Sequence, residues 1–315
     1  MVDKKQINVS FVIPVYNEEE SLEELLDKIK KVADEHFNKY EIIVVDDGST
    51  DNTWNVLKKL KRELYPNILK IYRFRRNFGK AAALSLGFKK TNYDFVATLD
   101  GDLQDDPEEI PSMIDIILEK DYDLVSGWKK VRHDPISKTL PSKIFNFVVS
   151  IVSGIRLHDF NCGLKVYRKE VVKEIKIYGE LHRYIPVLAH WSGFKVTEKV
   201  VKHHPRKYGR SKYGFSRFIH GFLDLLTVIF LHKYIKKPLH LFGTIGVLFL
   251  IIGGIIDAYF LGVWLLTRTL RVRPLMLLGI FSIIVGIQFI SLGLLGELIT
   301  ITNREEEYKI KEYEE

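Results

Sequence analysis

The residues best suited to chemistry lie in Thr98-Leu99-Asp100-Gly101-Asp102-Leu103-Gln104, which includes the end of a short apolar run, Phe95 to Leu99. If the extended conformation persists past that run, its period of two puts Asp100, Asp102 and Gln104 on one side. Gly101 lets a ligand approach the backbone closely. Two carboxylates and an amide oxygen suit a hard divalent ion, Mg2+ or Mn2+, that bridges to substrate phosphates. A bland acidic loop is the plainer alternative, but the carboxyl end of a central strand is where open α/β sheets bind ligands. Asp46 and Asp47 end another strand of the same layer, ahead of Gly48 and Ser49, where carboxylates can hydrogen-bond a ribose or a base edge. The competing role is helix capping, which Ser49 or Asp51 can supply. No GxGxxG or GxxxxGK[ST] loop occurs, which argues against a Rossmann dehydrogenase or a P-loop ATPase and leaves phosphate to be held by metal and side chains.

Such residues need a sheet to position them. Val9 to Tyr16 is a β-branched run that ends at turn-forming Asn17, and Ser21 with Glu24 predicts a capping box at the next helix. Leu22, Leu25, Leu26, Ile29, Val32 and Ala33 then follow at helical spacing. Glu41 to Val45 is the continuous apolar run of a strand covered on both faces. A helix over 53–64, a strand over 68–74, a helix over 79–89 and a strand over 95–99 continue the alternation, which predicts an α/β fold with a mostly parallel sheet between helices. Asp106-Pro107-Glu108-Glu109 reads as another helix start, and a strand is expected over 123–127.

Beyond that point the sequence changes character. Ile144 to Val152 and Phe215 to Leu231 are apolar with a few polar interruptions, readable as buried helices or as amphipathic helices in a membrane interface. Leu275 to Gly296 holds no charged residue over 22 positions, enough for a membrane span of about 20 residues, and Leu241 to Leu266 is similar except for Asp257. The expected pair of spans, 239–266 and 274–301, forms a hairpin with both termini on one side. Lys233, Lys236 and Lys237 precede it while Arg268, Arg271 and Arg273 sit in its loop, so the positive-inside rule does not orient it. No apolar leader precedes Val9, and the single cysteine, Cys162, allows no internal disulfide; both favour a cytoplasmic catalytic domain. The net charge of +7 fits phosphates or a lipid surface as well as a lysine-rich exterior.

The blocks FVIPVYNEEE, IIVVDDGSTDNT, RRNFGKAAALSLGF and TLDGDLQDDPEEIP, in order over Phe11 to Pro111, resemble the nucleotide-sugar domain of family 2 glycosyltransferases. DFNCGLK at 159–165 and RKYGRSKY at 206–213, followed by two spans, resemble the polyprenyl-phosphate branch, which includes dolichol-phosphate mannose synthase and bactoprenol glucosyltransferases. The resemblance implies a GT-A type domain over 1–212 with an interfacial segment near 137–153, an interfacial helix over 213–236, a hairpin over 237–303 and a charged tail over 304–315. It implies donor contacts from Pro14, Tyr16, Glu18, Asp46, Asp47, Lys80, Asp100 and Asp102, and a metal on Asp100, Asp102 and Gln104. Neither Gln104 nor Gln288 begins the Gln-x-x-Arg-Trp motif of processive polysaccharide synthases.

The expected reaction is inverting transfer of a sugar from a nucleotide sugar, taken as UDP-glucose, to a polyprenyl phosphate at the cytoplasmic membrane face. A lipid monophosphate is largely ionised at neutral pH, with a second pKa of about 6, so the acceptor needs placement and charge compensation more than a base. Arg206, Ser211 and Lys212 are expected to seat that phosphate, with Arg75 and Arg76 adding charge. Asp159 is expected to face the acceptor, to orient it or to take a residual proton, unless it merely caps a turn. Alternatives are GDP-mannose as donor, a different lipid acceptor, or an inert membrane scaffold. No nucleic-acid partner is expected, and Asp257 is assigned to helix pairing or to association between copies through the hairpin.

Overall fold

The computed structural model describes residues 6–130, 146–179, 181–205, 207–208, 230, 237–269 and 272–302. The chain divides into two compact units, residues 1–225 and 226–315.

In the first unit, β1 (Asn8–Val15), β2 (Lys39–Asp46), β3 (Leu69–Arg73) and β4 (Phe95–Thr98) alternate with α1 (Leu22–His36), α2 (Thr53–Glu63) and α3 (Lys80–Lys89). A 3-10 turn (Pro107–Glu109) leads into α4 (Ile110–Lys120) and β5 (Leu124–Trp128). After α5, over residues 146–153, come β6 (Lys165–Arg168), α6 (Lys169–Glu174), a second 3-10 turn (Leu181–Tyr184), α7 (Ile185–Trp191) and β7 (Val196–Val200). The strands lie in the order β3-β2-β1-β4-β6-β5-β7. β1 has parallel partners on both sides, β2 and β4, whereas β6 runs antiparallel to β4 and β5. The chain therefore winds outward from β1 to β3 and returns past β1 to β4. That reversal opens a crevice at the carboxyl ends of β1 and β4, the place where such sheets take ligands. This is the expected GT-A architecture.

The apolar runs of β1 and β2 are covered on both faces: Phe11, Val12, Ile13 and Ile42 through Val45 have no exposed surface. The α1 stripe also buries as its spacing predicts. Two local expectations fail. Ser21 and Glu24 form no capping box, because the Ser21 hydroxyl donates to the Glu18 and Gly101 carbonyls and Glu24 pairs with Lys28 and Lys207. Nor does the extended strand persist to Gln104: β4 stops at Thr98, residues 101–103 turn, and Leu103 adopts a φ of 62°. Period-two alignment of Asp100, Asp102 and Gln104 is lost with it.

α5 is amphipathic in the reverse sense. Asn146, Val149 and Ser153 face inward, while Phe147 (66% exposed), Val148, Ile151 (66%) and Val152 face out. The Asn146 amide donates to the His158 carbonyl and the Trp191 indole to the Ser153 carbonyl, which fixes the apolar side outward.

The second unit is an antiparallel pair, α8 (Pro238–Thr267) and α9 (Pro274–Thr302), each long and apolar enough to cross a membrane. Glycines seven residues apart set their separation: a Cβ on Gly246 would lie 2.7 Å from the Gly286 carbonyl oxygen, and one on Gly253 2.6 Å from that of Gly279. Large apolar side chains such as Ile255, Tyr259, Phe281 and Leu295 point outward, as expected where lipid replaces water. Asp257 lies against Gly279. The expected interfacial helix over 213–236, apart from Phe230, and the tail over 304–315 lie outside the described residues.

Candidate active site

Three strand ends are knitted together at the crevice. After β1, the Asn17 amide donates to the Ser49 hydroxyl and the Glu18 amide to Thr53 Oγ1, both at 2.9 Å. After β2, Asp46 is wholly buried, accepting from the Ser49 amide at 2.8 Å and facing Arg73 Nε at 3.2 Å. Its carboxylate braces the turn from within. Asp47 reaches across to the loop before α3, where its two oxygens accept the Phe78 and Gly79 amides at 2.7 and 2.9 Å. Burial raises the Asp47 carboxyl above its usual range, against the pull of those two amides. The turn between them depends on Gly48, at a φ of 73°, where a Cβ would lie 2.5 Å from the Arg76 backbone carbon. Pro14, Tyr16 and Glu18 stay partly exposed beside this framework. Arg75 and Arg76 are exposed on the same loop, with Arg76 stacked over the Phe78 ring.

Asp100 is the electrostatic centre. Lys80, the first residue of α3, pairs with its Oδ1, and its backbone amide donates to Asp105 Oδ2 at 3.3 Å. Asp105 in turn faces Lys129 Nζ at 2.9 Å. On the other side the 159–164 loop comes so close that a Cβ on Gly163 would lie 2.5 Å from Asp100 Cγ. Thr98 Oγ1 holds that loop by donating to the Gly163 carbonyl at 2.9 Å, and buried Lys165 donates to the Cys162 carbonyl. Burial alone would raise the Asp100 carboxyl; Lys80, then Lys129 and Lys165, outweigh it and hold the group well below the usual carboxylate range. Burial lowers the Lys165 ammonium and pushes the Cys162 thiol up to about 12.

Asp102 is buried and closes its own turn by accepting the Gln104 amide at 3.2 Å. Gln104 Nε2 donates to the His204 carbonyl, leaving the amide oxygen as an acceptor. No group of three or more His, Cys, Asp or Glu side chains close enough to hold a metal occurs among the described residues. Asp100 and Asp102 offer two carboxylates at one turn, and the Gln104 oxygen is of the same hard type. Those donors fit Mg2+ or Mn2+ chemically when phosphate oxygens complete the shell. Asp159 is buried and accepts the Asn161 amide at 3.1 Å, so it does close a turn. Arg206, Ser211 and Lys212 lie outside the described residues. Lys129, Lys165, Asn161 and His182 carry no local sequence signal of their own; only Asn161 and Lys165 fall within the DFNCGLK segment at 159–165.

The family model for glycosyl transferase family 2 matches residues 10–176, more than half of the chain. The chain belongs to glycosyltransferase family 2. Its relatives place this glycosyltransferase in the polyprenyl-phosphate branch. A dodecaprenyl-phosphate galacturonate synthase of Rhizobium johnstonii is 36% identical over 95% of this chain and 89% of its own. An undecaprenyl-phosphate 4-deoxy-4-formamido-L-arabinose transferase of Shewanella sediminis is 37% identical over 92% of this chain and 86% of its own. Neither name mentions glucose. Among solved structures, glucosyl-3-phosphoglycerate synthase of Mycobacterium tuberculosis, in complex with Mn2+, UDP and its product, superposes with a TM-score of 0.56 at 16% identity, over 73% of this chain and 81% of that one. At that identity the likeness establishes the fold of this glycosyltransferase and no more.

Proposed function

We propose that this glycosyltransferase moves a sugar from a UDP-sugar to a polyprenyl phosphate, with inversion, at the cytoplasmic face of a membrane. The observation that carries the reading is the paired carboxylates Asp100 and Asp102 at the sheet's switch point, ringed by Lys80, Lys129 and Lys165, in a chain with two membrane-length helices. The donor's uridine belongs beside Pro14, Tyr16, Glu18 and Asp47. Asp46 is shut inside and supports that pocket indirectly. A divalent ion on Asp100, Asp102 and the Gln104 oxygen would supply charge neutralisation for the departing diphosphate.

The chain's own residues do the rest. Lys80 is poised to turn from Asp100 to a diphosphate oxygen once that carboxylate has another partner. An oxygen of the lipid phosphate attacks the anomeric carbon as the bond to the diphosphate breaks, and no proton needs removal because the acceptor is already ionised. Asp159, occupied with its turn, then orients the acceptor loop rather than acting as an essential base. Arg206, Ser211 and Lys212, with Arg75 and Arg76, supply the acceptor's cationic seat. The exposed apolar face of α5 lies in the bilayer interface, where the acceptor's reacting phosphate resides.

Galacturonate and 4-deoxy-4-formamido-L-arabinose, the sugars named for the two relatives, share the ring configuration at C4, although the second carries a formamido group there in place of the hydroxyl. A donor of that configuration replaces UDP-glucose as the expected substrate. The test offers UDP-galacturonate, UDP-galactose, UDP-glucose and GDP-mannose to the full chain in nanodiscs with undecaprenyl phosphate, with and without a chelator. Transfer favouring the galacto-configured UDP donors and abolished by the chelator supports the reading. Chelator-resistant transfer removes the metal, and preference for GDP-mannose removes the donor assignment.

A further inference from the structure

Buried polar atoms are almost always paired, so an exception inside a ligand crevice marks hydrogen-bonding capacity held in reserve. Among the described residues, Asn161 Oδ1 and His182 Nδ1 are sealed from solvent and have no hydrogen-bond partner. Asp46 Oδ2 and Asp105 Oδ1 also lack a hydrogen bond, but those atoms face Arg73 and Lys129 in ion pairs. Asn161 and His182 have no such cation.

The two residues stand on different elements that border Asp100. Asn161 belongs to the 159–164 loop, whose Gly163 abuts the Asp100 carboxylate and whose backbone is tied to Thr98 at the end of β4. His182 lies on the 3-10 turn Leu181–Tyr184, which packs on α3, and α3 presents Lys80 to the same carboxylate. Neither comes from the β1 and β2 loops that frame the nucleotide side.

Their chemistry distinguishes what they could bind. Burial, then Lys80 and Arg183, holds the His182 imidazole well below its ordinary value and so keeps it neutral; a neutral imidazole offers one donor and one acceptor. Asn161 Oδ1 is an acceptor only, which repels a phosphate oxygen and welcomes a hydroxyl. A pair that accepts at one point and can donate or accept at the other matches a ring carrying hydroxyl groups, not a diphosphate. We propose that Asn161 and His182 form the donor-sugar subsite and read the hydroxyl groups of the ring beside Asp100. This rests on the glycosyltransferase reading above and adds the residues that recognise the sugar.

Asn161→Ala, His182→Ala and the conservative His182→Gln would be compared with the wild-type full chain in nanodiscs. Calorimetry gives the affinities for UDP and for UDP-galactose, and kinetics give kcat/KM for UDP-galactose and its C4 epimer UDP-glucose. Each alanine variant should bind UDP as before and lose about 10- to 100-fold in kcat/KM for the preferred donor, the scale of a buried polar group left unpaired. The preference between epimers should shrink, with partial recovery in His182→Gln. That preference is a ratio, so it does not depend on the folded fraction of a variant. Unchanged epimer preference, or equal losses for UDP and UDP-galactose, would overturn the subsite. Failure of the wild type to bind any UDP-sugar would instead sink the UDP-donor reading of the proposed function, and the subsite with it.

Discussion

Replacing Gly163 by alanine probes how tightly the site is built. The added Cβ would lie 2.5, 2.6 and 2.7 Å from Cγ, Oδ1 and Oδ2 of Asp100, where ordinary contact begins near 3.4 Å. Restoring contact requires a displacement of about 0.9 Å, from 3.4 − 2.5. Thr98 holds the Gly163 carbonyl, so the carboxylate moves rather than the loop. A misplacement of about 1 Å costs on the order of 100-fold in rate, equivalent to about 2.7 kcal/mol of barrier. The assay measures kcat across a Mn2+ titration, together with the thermal midpoint. Gly163→Ala should lower kcat about 100-fold and raise the Mn2+ concentration for half-maximal rate, while remaining folded. Turnover and metal requirement within threefold of wild type would refute the claim that this close approach positions Asp100.

Glu41 is buried and accepts from Ser10 Oγ, the Asn92 amide, Asn92 Nδ2 and Lys70. Glu41→Gln should cost about 2–3 kcal/mol at neutral pH, since an amide cannot replace the charge-assisted acceptor. Burial opposes ionisation there, but Lys70, Ser10 and Asn92 hold the carboxyl below its ordinary 4.5. The stabilisation is therefore present above that value and lost as pH falls through the lower folded value; thermal midpoints of wild type and variant should converge in acid, and a constant gap would contradict this. In the hairpin, Gly253→Leu should force α8 and α9 apart, costing about 1–3 kcal/mol and lowering the midpoint of SDS-induced unfolding, with Gly254→Leu, where no atom lies within 4 Å of the added Cβ, as the neutral control. Phe147→Ser with Ile151→Ser should spare UDP binding yet weaken use of bilayer-embedded acceptor more than of a short-chain soluble one; equal effects on both acceptors would detach α5 from the membrane.

The residues that built the scaffold were plain in the sequence because their signals are periodic. Leu22 through Ala33 repeat at helical spacing, and Ile42 to Val45 form an unbroken apolar run, so burial follows from pattern alone. Asp100 and Asp102 were visible because they follow such a run. Their geometry was not, because Leu103 takes a left-handed conformation that breaks the period of two. Ser21 misled for a related reason: its local partner, the Glu24 capping box, competes with the Gly101 carbonyl, 80 residues away in sequence and 2.7 Å away in space. Lys129, Lys165 and His182 converge on Asp100 only after β5, β6 and the 3-10 turn are placed, and no local spacing announces that convergence.

The most direct test of the proposed reaction follows oxygen through it. Polyprenyl phosphate labelled with 18O on its terminal oxygens would be incubated with the full chain and an unlabelled UDP-sugar, and both products read by mass spectrometry. Attack by the lipid phosphate on the anomeric carbon predicts a lipid-phosphate monosaccharide that keeps every labelled oxygen and UDP that carries none. Label in the released UDP, or a glycosylated lipid without the phosphate, would contradict it.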